Sequence, residues 1–281
     1  AFDTVKIPES TVEVTWDGGD GQWSDPNWNS GGTLEELVGS TNGSNGAESL
    51  NGGETFIIGG GATVSYDGNT LGDSRIKQSS NLIIQEGATL AQTTLPTWSE
   101  NRWTQMDLSR LEINGGTFSR TGAAPLGGPE DPLGGGALIL GSWRGDDNFD
   151  TVNAPQTISV TISEGGSLVN EGQLWFGGWE DHPEGLTVGM TIYDGSIDLT
   201  GGDVEGVGEE ADADLVFAYG RNGAGDPKNE NYSLNFAGPG SLTVDRSGII
   251  VAVKDEDNVW TGLDPITYEE LWDMGILQAL G

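Results

Sequence analysis

Short runs of β-branched and aliphatic residues recur along the chain, each broken by glycine and closed by one further apolar position. The nine-residue form spans Phe56–Val64, Leu82–Leu90 and Val160–Leu168, and a looser copy spans Ser233–Leu242. Leu111–Phe118 and Met190–Ile197 are one residue shorter. Every copy reads as a short strand, a glycine-containing corner, a Ser or Thr, and an apolar residue. Branched side chains fit a pleated surface, and glycine permits a positive-φ bend at no steric cost. Ile58, Ile84, Ile113, Ile162, Ile192 and Phe236 hold the same place before the corner, which predicts one inward-facing apolar ladder.

The closing apolar residues Val64, Leu90, Phe118, Leu168, Ile197 and Leu242 are separated by 26, 28, 50, 29 and 45 positions. The two long gaps read as double steps. A second phrase, Leu138-Ile139-Leu140-Gly141-Ser142-Trp143, matches Leu174-Trp175-Phe176-Gly177-Gly178-Trp179, and Leu215–Tyr219 follows it loosely. Units of this size cannot bury their own apolar face and gain stability by stacking on neighbours. The expectation is an all-β, single-stranded parallel β-helix (a β-solenoid) of roughly six to seven turns with a short C-terminal capping helix. A β-sandwich also carries strands at regular spacing, but hairpin signals such as Asp67-Gly68-Asn69 are few.

Three regions follow. Residues 1–30 hold an alternating strand, Thr11–Thr15, and a Trp-rich first coil; 31–262 form the solenoid with loop insertions at 31–54 and 121–136; 263–281 form the cap. In the cap, Thr267 with Glu270 makes a capping-box pattern and Gly275 a left-handed stop, so Leu271 and Trp272 are expected to cover the last coil.

Composition narrows the chemistry. Cysteine is absent, which removes disulfides, thiolate metal sites and a thiol nucleophile. The net charge of −33 repels phosphate backbones, so neither nucleic acid nor an anionic membrane surface is an expected partner. No run of about 18 apolar residues occurs, so no membrane span is expected in the chain. Self-repulsion on this scale calls for dissolved cations, salt or bound Ca²⁺, to screen it. Ten Trp argue against a disordered acidic chain.

The opening Thr15-Trp16-Asp17-Gly18-Gly19, with Trp23 and Asn27-Trp28 after it, resembles the first coil of bacterial secreted or surface β-helix proteins. These are the autotransporter-type passengers and the surface proteins with a PEP-CTERM sorting tail. The likeness resumes in the repeated phrases and at Ile266–Leu277. It implies a secreted or cell-surface location and a non-catalytic opening motif. The start, Ala1-Phe2-Asp3-Thr4, suits a terminus left after signal cleavage.

Candidate chemistry lies in acidic clusters and aromatics. Asp17, Asp20 and Asp25, and separately Asp146, Asp147 and Asp150, are candidate Ca²⁺ ligands, because carboxylates on glycine-bearing loops can converge on one ion. Asp255, Glu256 and Asp257 make a third cluster, and Glu205–Asp214 reads as a solvated loop. Trp143, Trp179 and Tyr219 end equivalent strands and, with Trp98 and Trp103, are candidate glycan-binding residues. The competing reading is an internal aromatic stack. His182 is the sole histidine, in a loop beside Pro183, and no G-x-S-x-G phrase occurs. The leading expectation is an extracellular structural or adhesive scaffold without catalytic residues, stabilised by cations and able to self-associate or contact polysaccharide or another surface protein. The alternative is a glycan-binding module or a Ca²⁺-dependent polysaccharide-active enzyme, either a lyase with Arg144 or Arg221 as base or a hydrolase with a pair of carboxylates.

Overall fold

The computed structural model describes residues 13–23, 25–29, 55–65, 74–76, 81–92, 103–106, 110–121, 137–141, 156–177, 186–200, 213–219, 231–244, 248–254, 260–261 and 265–279. The described chain is dominated by strands in three sheets. The first sheet runs Glu13–Thr15, Thr55–Ile58, Asn81–Ile84, Arg110–Asn114, Gln156–Ser163, Leu186–Ile192, Asn231–Phe236 and finally Leu277–Ala279. The second runs Gly21–Gln22, Thr63–Ser65, Thr89–Gln92, Thr117–Arg120, Ser167–Asn170, Ser196–Asp198 and Ser241–Thr243. The third runs Ser74–Ile76, Trp103–Met106, Ala137–Leu140, Leu174–Phe176, Ala213–Tyr219 and Gly248–Lys254. From Thr55–Ile58 to Gly248–Lys254 the chain visits the sheets in the same cyclic order, so spatial neighbours there lie three strands apart in sequence. All neighbours so far named pair in parallel. Among the described residues, antiparallel pairing is confined to Trp260–Thr261 and Pro265–Ile266 against Gly248–Lys254, and to a Trp16–Trp28 bridge. A sandwich of hairpins is thereby ruled out for these strands.

The apolar ladder expected from sequence forms in register. Ile58 pairs with Ile84, Ile84 with Ile113, Ile113 with Ile162, Ile162 with Ile192, and Ile192 with Phe236. The five isoleucines are fully buried and Phe236 partly so. In the second sheet Val64, Leu90, Phe118, Leu168, Ile197 and Leu242 form a parallel row. This corrects the reading of the long gaps. Phe118 pairs directly with Leu168, and Ile197 with Leu242, so 50 and 45 positions are single steps. Hydrogen-bond register constrains only the strands, and closing a longer connection costs little more than closing a short one.

The second phrase also aligns: Leu138 with Leu174 and Leu215, Leu140 with Phe176 and Phe217. The Phe176 and Phe217 rings stack at 4.7 Å. Ile139, Trp175 and Val216, which point away from those neighbours along the pleat, are buried as well. Strands buried on both faces read as continuous apolar runs rather than alternating ones, which is how these segments look in sequence.

Corner glycines do two separate jobs. Gly87, Gly115 and Gly165 have φ near +70° to +76°, the left-handed bend expected from sequence. Gly116, Gly166, Gly195 and Gly240 do not, and are needed because a Cβ would strike the isoleucine of the preceding row: Ile84, Ile113, Ile162 and Ile192 in turn. Close approach, not backbone conformation, excludes a side chain there.

At the N-terminal end Val14 and the indoles of Trp16, Trp23 and Trp28 are buried. Trp28 meets Trp16 and Trp23 edge-on at 5.1 Å each and Phe56 at 5.5 Å. The indole N–H of Trp28 donates to the Trp23 carbonyl (3.1 Å) and that of Trp16 to the Gly19 carbonyl (2.8 Å). At the other end a helix spans Tyr268–Asp273, with the Thr267–Glu270 capping box formed and Gly275 at φ +74°. Leu271 is buried as expected, but Trp272 is 51% exposed. Two consecutive positions on a helix point about 100° apart, so a single turn against the core cannot bury both. Ile276, beyond the helix, takes the second buried place, and the chain then returns to pair Leu277–Ala279 with Leu234–Phe236.

Candidate functional site

Alternation along the second-sheet strands sends Leu90, Phe118 and Leu168 inward, and two residues later sends Gln92, Arg120 and Asn170 inward as well. These three pair in register and are buried, Arg120 completely. The Arg120 Nε donates to Gln92 Oε1 and its Nη1 to Asn170 Oδ1, both at 3.0 Å. Asn170 Nδ2 donates to the Gln173 carbonyl (3.0 Å), and the Trp175 indole N–H donates to Gln173 Oε1 (2.9 Å). Burial lowers the guanidinium from its ordinary range to about 9. Desolvating a cation is costly, and polar acceptors on either side offset part of that cost. Where the chain leaves each strand, Thr121 N–H donates to the Gln92 carbonyl and Glu171 N–H to the Arg120 carbonyl, so this polar row sits at a corner of the stack. Sealed from solvent, it can position the chain but cannot touch a dissolved substrate.

Asp214 corrects a further expectation. It lies buried in the strand Ala213–Tyr219 rather than in a solvated loop. The phenol of Tyr268, on the C-terminal helix, is pushed up by burial and then by the Asp214 carboxylate, whose charge disfavours the phenolate.

Of the first candidate Ca²⁺ set, Asp20 Oδ1 accepts from Thr63 N–H and Asp25 Oδ2 from Gln22 N–H, both at 2.8 Å. Those oxygens tie the Trp-rich opening to the next second-sheet strand and close its turn. Asp17 is exposed. Among the described residues no three His, Cys, Asp or Glu side chains gather as a metal site. Asp146, Asp147, Asp150, Trp98, Trp143 and Trp179 lie outside the described residues, as do His182, Arg144, Arg221, Asp255–Asp257, Asp67-Gly68-Asn69 and the proposed loop at 31–54. Trp103 and Tyr219 are placed by their backbones, opposite Ala137 and Val253.

On the outer face, the small residue of each phrase forms a row: Thr63, Thr89, Thr117, Ser167, Ser196 and Ser241. Ser196 Oγ donates to Ser167 Oγ at 3.1 Å. Similar contacts between strands of the first sheet join Asn81 to Thr55 and Ser163 to Asn114. Such pairs hold strands in register from outside, each adding a few tenths of a kcal/mol to about 1 kcal/mol. Sequence reasoning noticed the hydroxyls but missed the buried Gln92–Arg120–Asn170 row. Its signal was a polar residue two places after the closing apolar residue in three successive phrases. Comparison with protein-family models, curated proteins and solved structures finds no match for this chain.

Proposed function

We propose that the chain is a single-stranded parallel β-solenoid of roughly seven turns, capped by the C-terminal helix, that serves outside the cell as a cation-stabilised structural or adhesive scaffold. One observation carries this reading: the in-register isoleucine row fills the interior from Ile58 to Ile192 without interruption. A stack filled in this way is a rigid spacer with a repeated outer surface. The six-membered hydroxyl row offers that surface to polar ligands or to another surface protein. The resemblance of the Trp-rich opening to secreted β-helix proteins supports the extracellular location, and the charge of −33 supports a role for salt or Ca²⁺.

A polysaccharide panel tests the reading. Neutral and acidic polysaccharides are incubated with the protein and followed for new reducing ends, for unsaturated products in the ultraviolet, and for retention of the protein on polysaccharide-coated surfaces. The scaffold reading expects no turnover, with or without Ca²⁺. Turnover abolished by Arg144→Ala or Arg221→Ala would replace it with a polysaccharide-active enzyme.

A further inference from the structure

The two ends of the sheet stack are finished differently. At the N-terminal end the outward backbone groups of Thr15, in the first edge strand, are already used: its N–H donates to Asn29 Oδ1 (3.1 Å), and its carbonyl accepts from Asn29 N–H (2.9 Å). The interior behind them is closed by buried Trp16, Trp23 and Trp28. An edge occupied at Thr15 is blunted against pairing with another strand.

The C-terminal end has the opposite character. Leu277–Ala279 and Ser241–Thr243 are the outermost members of the first and second sheets among the described residues. The outermost large apolar side chains of the rows, Phe236, Leu242 and Leu277, are only partly buried, whereas their counterparts one row back, Ile192, Ile197 and Leu234, are fully buried; beyond Phe236 stands only Ala279. Immediately before the edge strand, Trp272 and Met274 are 51% and 50% exposed. The charged residues of the adjoining helix, Glu269, Glu270 and Asp273, are all acidic, in a chain of net charge −33. A second copy would bring the same acidic patch against itself, so charge selects an occupant of opposite sign.

We infer that the C-terminal end of the stack is a docking surface for an extended polypeptide carrying alternating apolar and basic residues. Its backbone would add to a sheet edge, its apolar side chains would cover Leu242, Leu277, Trp272 and Met274, and its cations would meet the helix carboxylates. Main-chain bonds give affinity in this mode and alternate side chains give specificity. The inference uses only the sheet topology and surface, so it stands or falls separately from the scaffold role.

The test uses the 281-residue protein and three labelled twelve-residue peptides: alternating Lys/Val, alternating Glu/Val, and alternating Lys/Ser. Fluorescence anisotropy is expected to show saturable binding of Lys/Val, none of Glu/Val, and only salt-suppressed binding of Lys/Ser. The double variant Trp272→Ala, Met274→Ala changes exposed residues, so circular dichroism should match the parent while Lys/Val binding falls about tenfold or more. Asp17→Asn, at the closed end, should leave binding unchanged. Lys/Ser binding as tightly as Lys/Val would reduce the effect to bulk charge and overturn the inference. So would unaltered binding in the double variant, or a Trp272-dependent homodimer in sedimentation that Lys/Val does not displace.

Discussion

Replacing Gly116 by Ala should destabilise the protein more than replacing the left-handed corner glycine Gly165, because the obstacle at Gly116 is backbone. A Cβ at Gly116 would lie 2.5 Å from the Gln85 carbonyl oxygen, 2.7 Å from Ile84 Cγ2 and 2.9 Å from the Ile84 carbonyl oxygen. Two of these three atoms belong to the strand and corner below and cannot rotate away. Overpacking a tight interior costs about 1 to 3 kcal/mol, and this site belongs at the upper end. Removing a glycine from the unfolded chain returns roughly 0.4 to 1 kcal/mol, leaving a net loss of about 2 kcal/mol. Gly165→Ala is the control: its φ is +76° but nothing lies within 4 Å of the added methyl, so only the left-handed cost of about 1 to 2 kcal/mol applies, less the same return. Ile84→Ala, at a fully buried position, should cost about 2 to 5 kcal/mol. Because it removes Cγ2 but leaves both oxygens, the double variant should be less damaged than the sum of the singles by about 1 kcal/mol. Urea unfolding at fixed ionic strength measures all four. A Gly116→Ala midpoint equal to the parent, or strict additivity with Ile84→Ala, would refute the packing argument.

Trp28→Ala removes the centre of the N-terminal aromatic cluster and should cost about 3 to 5 kcal/mol in the same unfolding assay. Arg120→Met withdraws the donors to Gln92 and Asn170 inside the corner and should cost about 2 to 4 kcal/mol; an unchanged midpoint would show the polar row to be dispensable. Hydrogen bonds from Thr267 hold Glu270 below the usual carboxylate range, so its contribution to the helix start is complete above that range and is lost as pH falls through the lowered folded value. Protection of the amides of residues 268–273, taken as exchange relative to the intrinsic rate at each pH, should therefore fall in acid in the parent, and Glu270→Gln should flatten that dependence. Raising NaCl should raise the melting temperature, and Ca²⁺ at matched ionic strength should raise it further if a specific site exists.

The repeated phrases made the rows of the fold legible because parallel stacking brings equal offsets together. Ile58 through Phe236 could be aligned by eye and pair as aligned. Spacing misled where connection length was taken to measure the number of steps, as between Phe118 and Leu168, since strand register is indifferent to what lies between strands. The capping box at Thr267 was readable because it is a local hydrogen-bond pattern, whereas the exposure of Trp272 depends on which side of one helical turn meets the core. Arg120 was hidden for a different reason. Residue type argues for the surface, and only the alternation from Phe118 argues for the interior. Of the aromatic and acidic candidates, Asp17, Asp20, Asp25, Trp103 and Tyr219 fall among the described residues, where strand register or the opening turn fixes their backbone.

The same stacking explains how so acidic a chain tolerates a parallel stack. Equal positions in neighbouring strands lie about 4.8 Å apart, where two unit charges in water repel by about 1 kcal/mol. A carboxylate repeated at one offset through successive strands would accumulate that penalty at every step. The paired strands avoid it: of 44 acidic residues in the chain, Glu13, Glu112, Asp198 and Asp214 are the ones that fall within described strands. Glu112 stands between Ile83 and Thr161 and bonds Arg110 at 3.1 Å; Asp198 stands between Val169 and Thr243 and accepts from Thr200; Glu13 faces Thr55. No acid pairs with an acid in the strand register among the described residues. Within the described strands the charge load is therefore light.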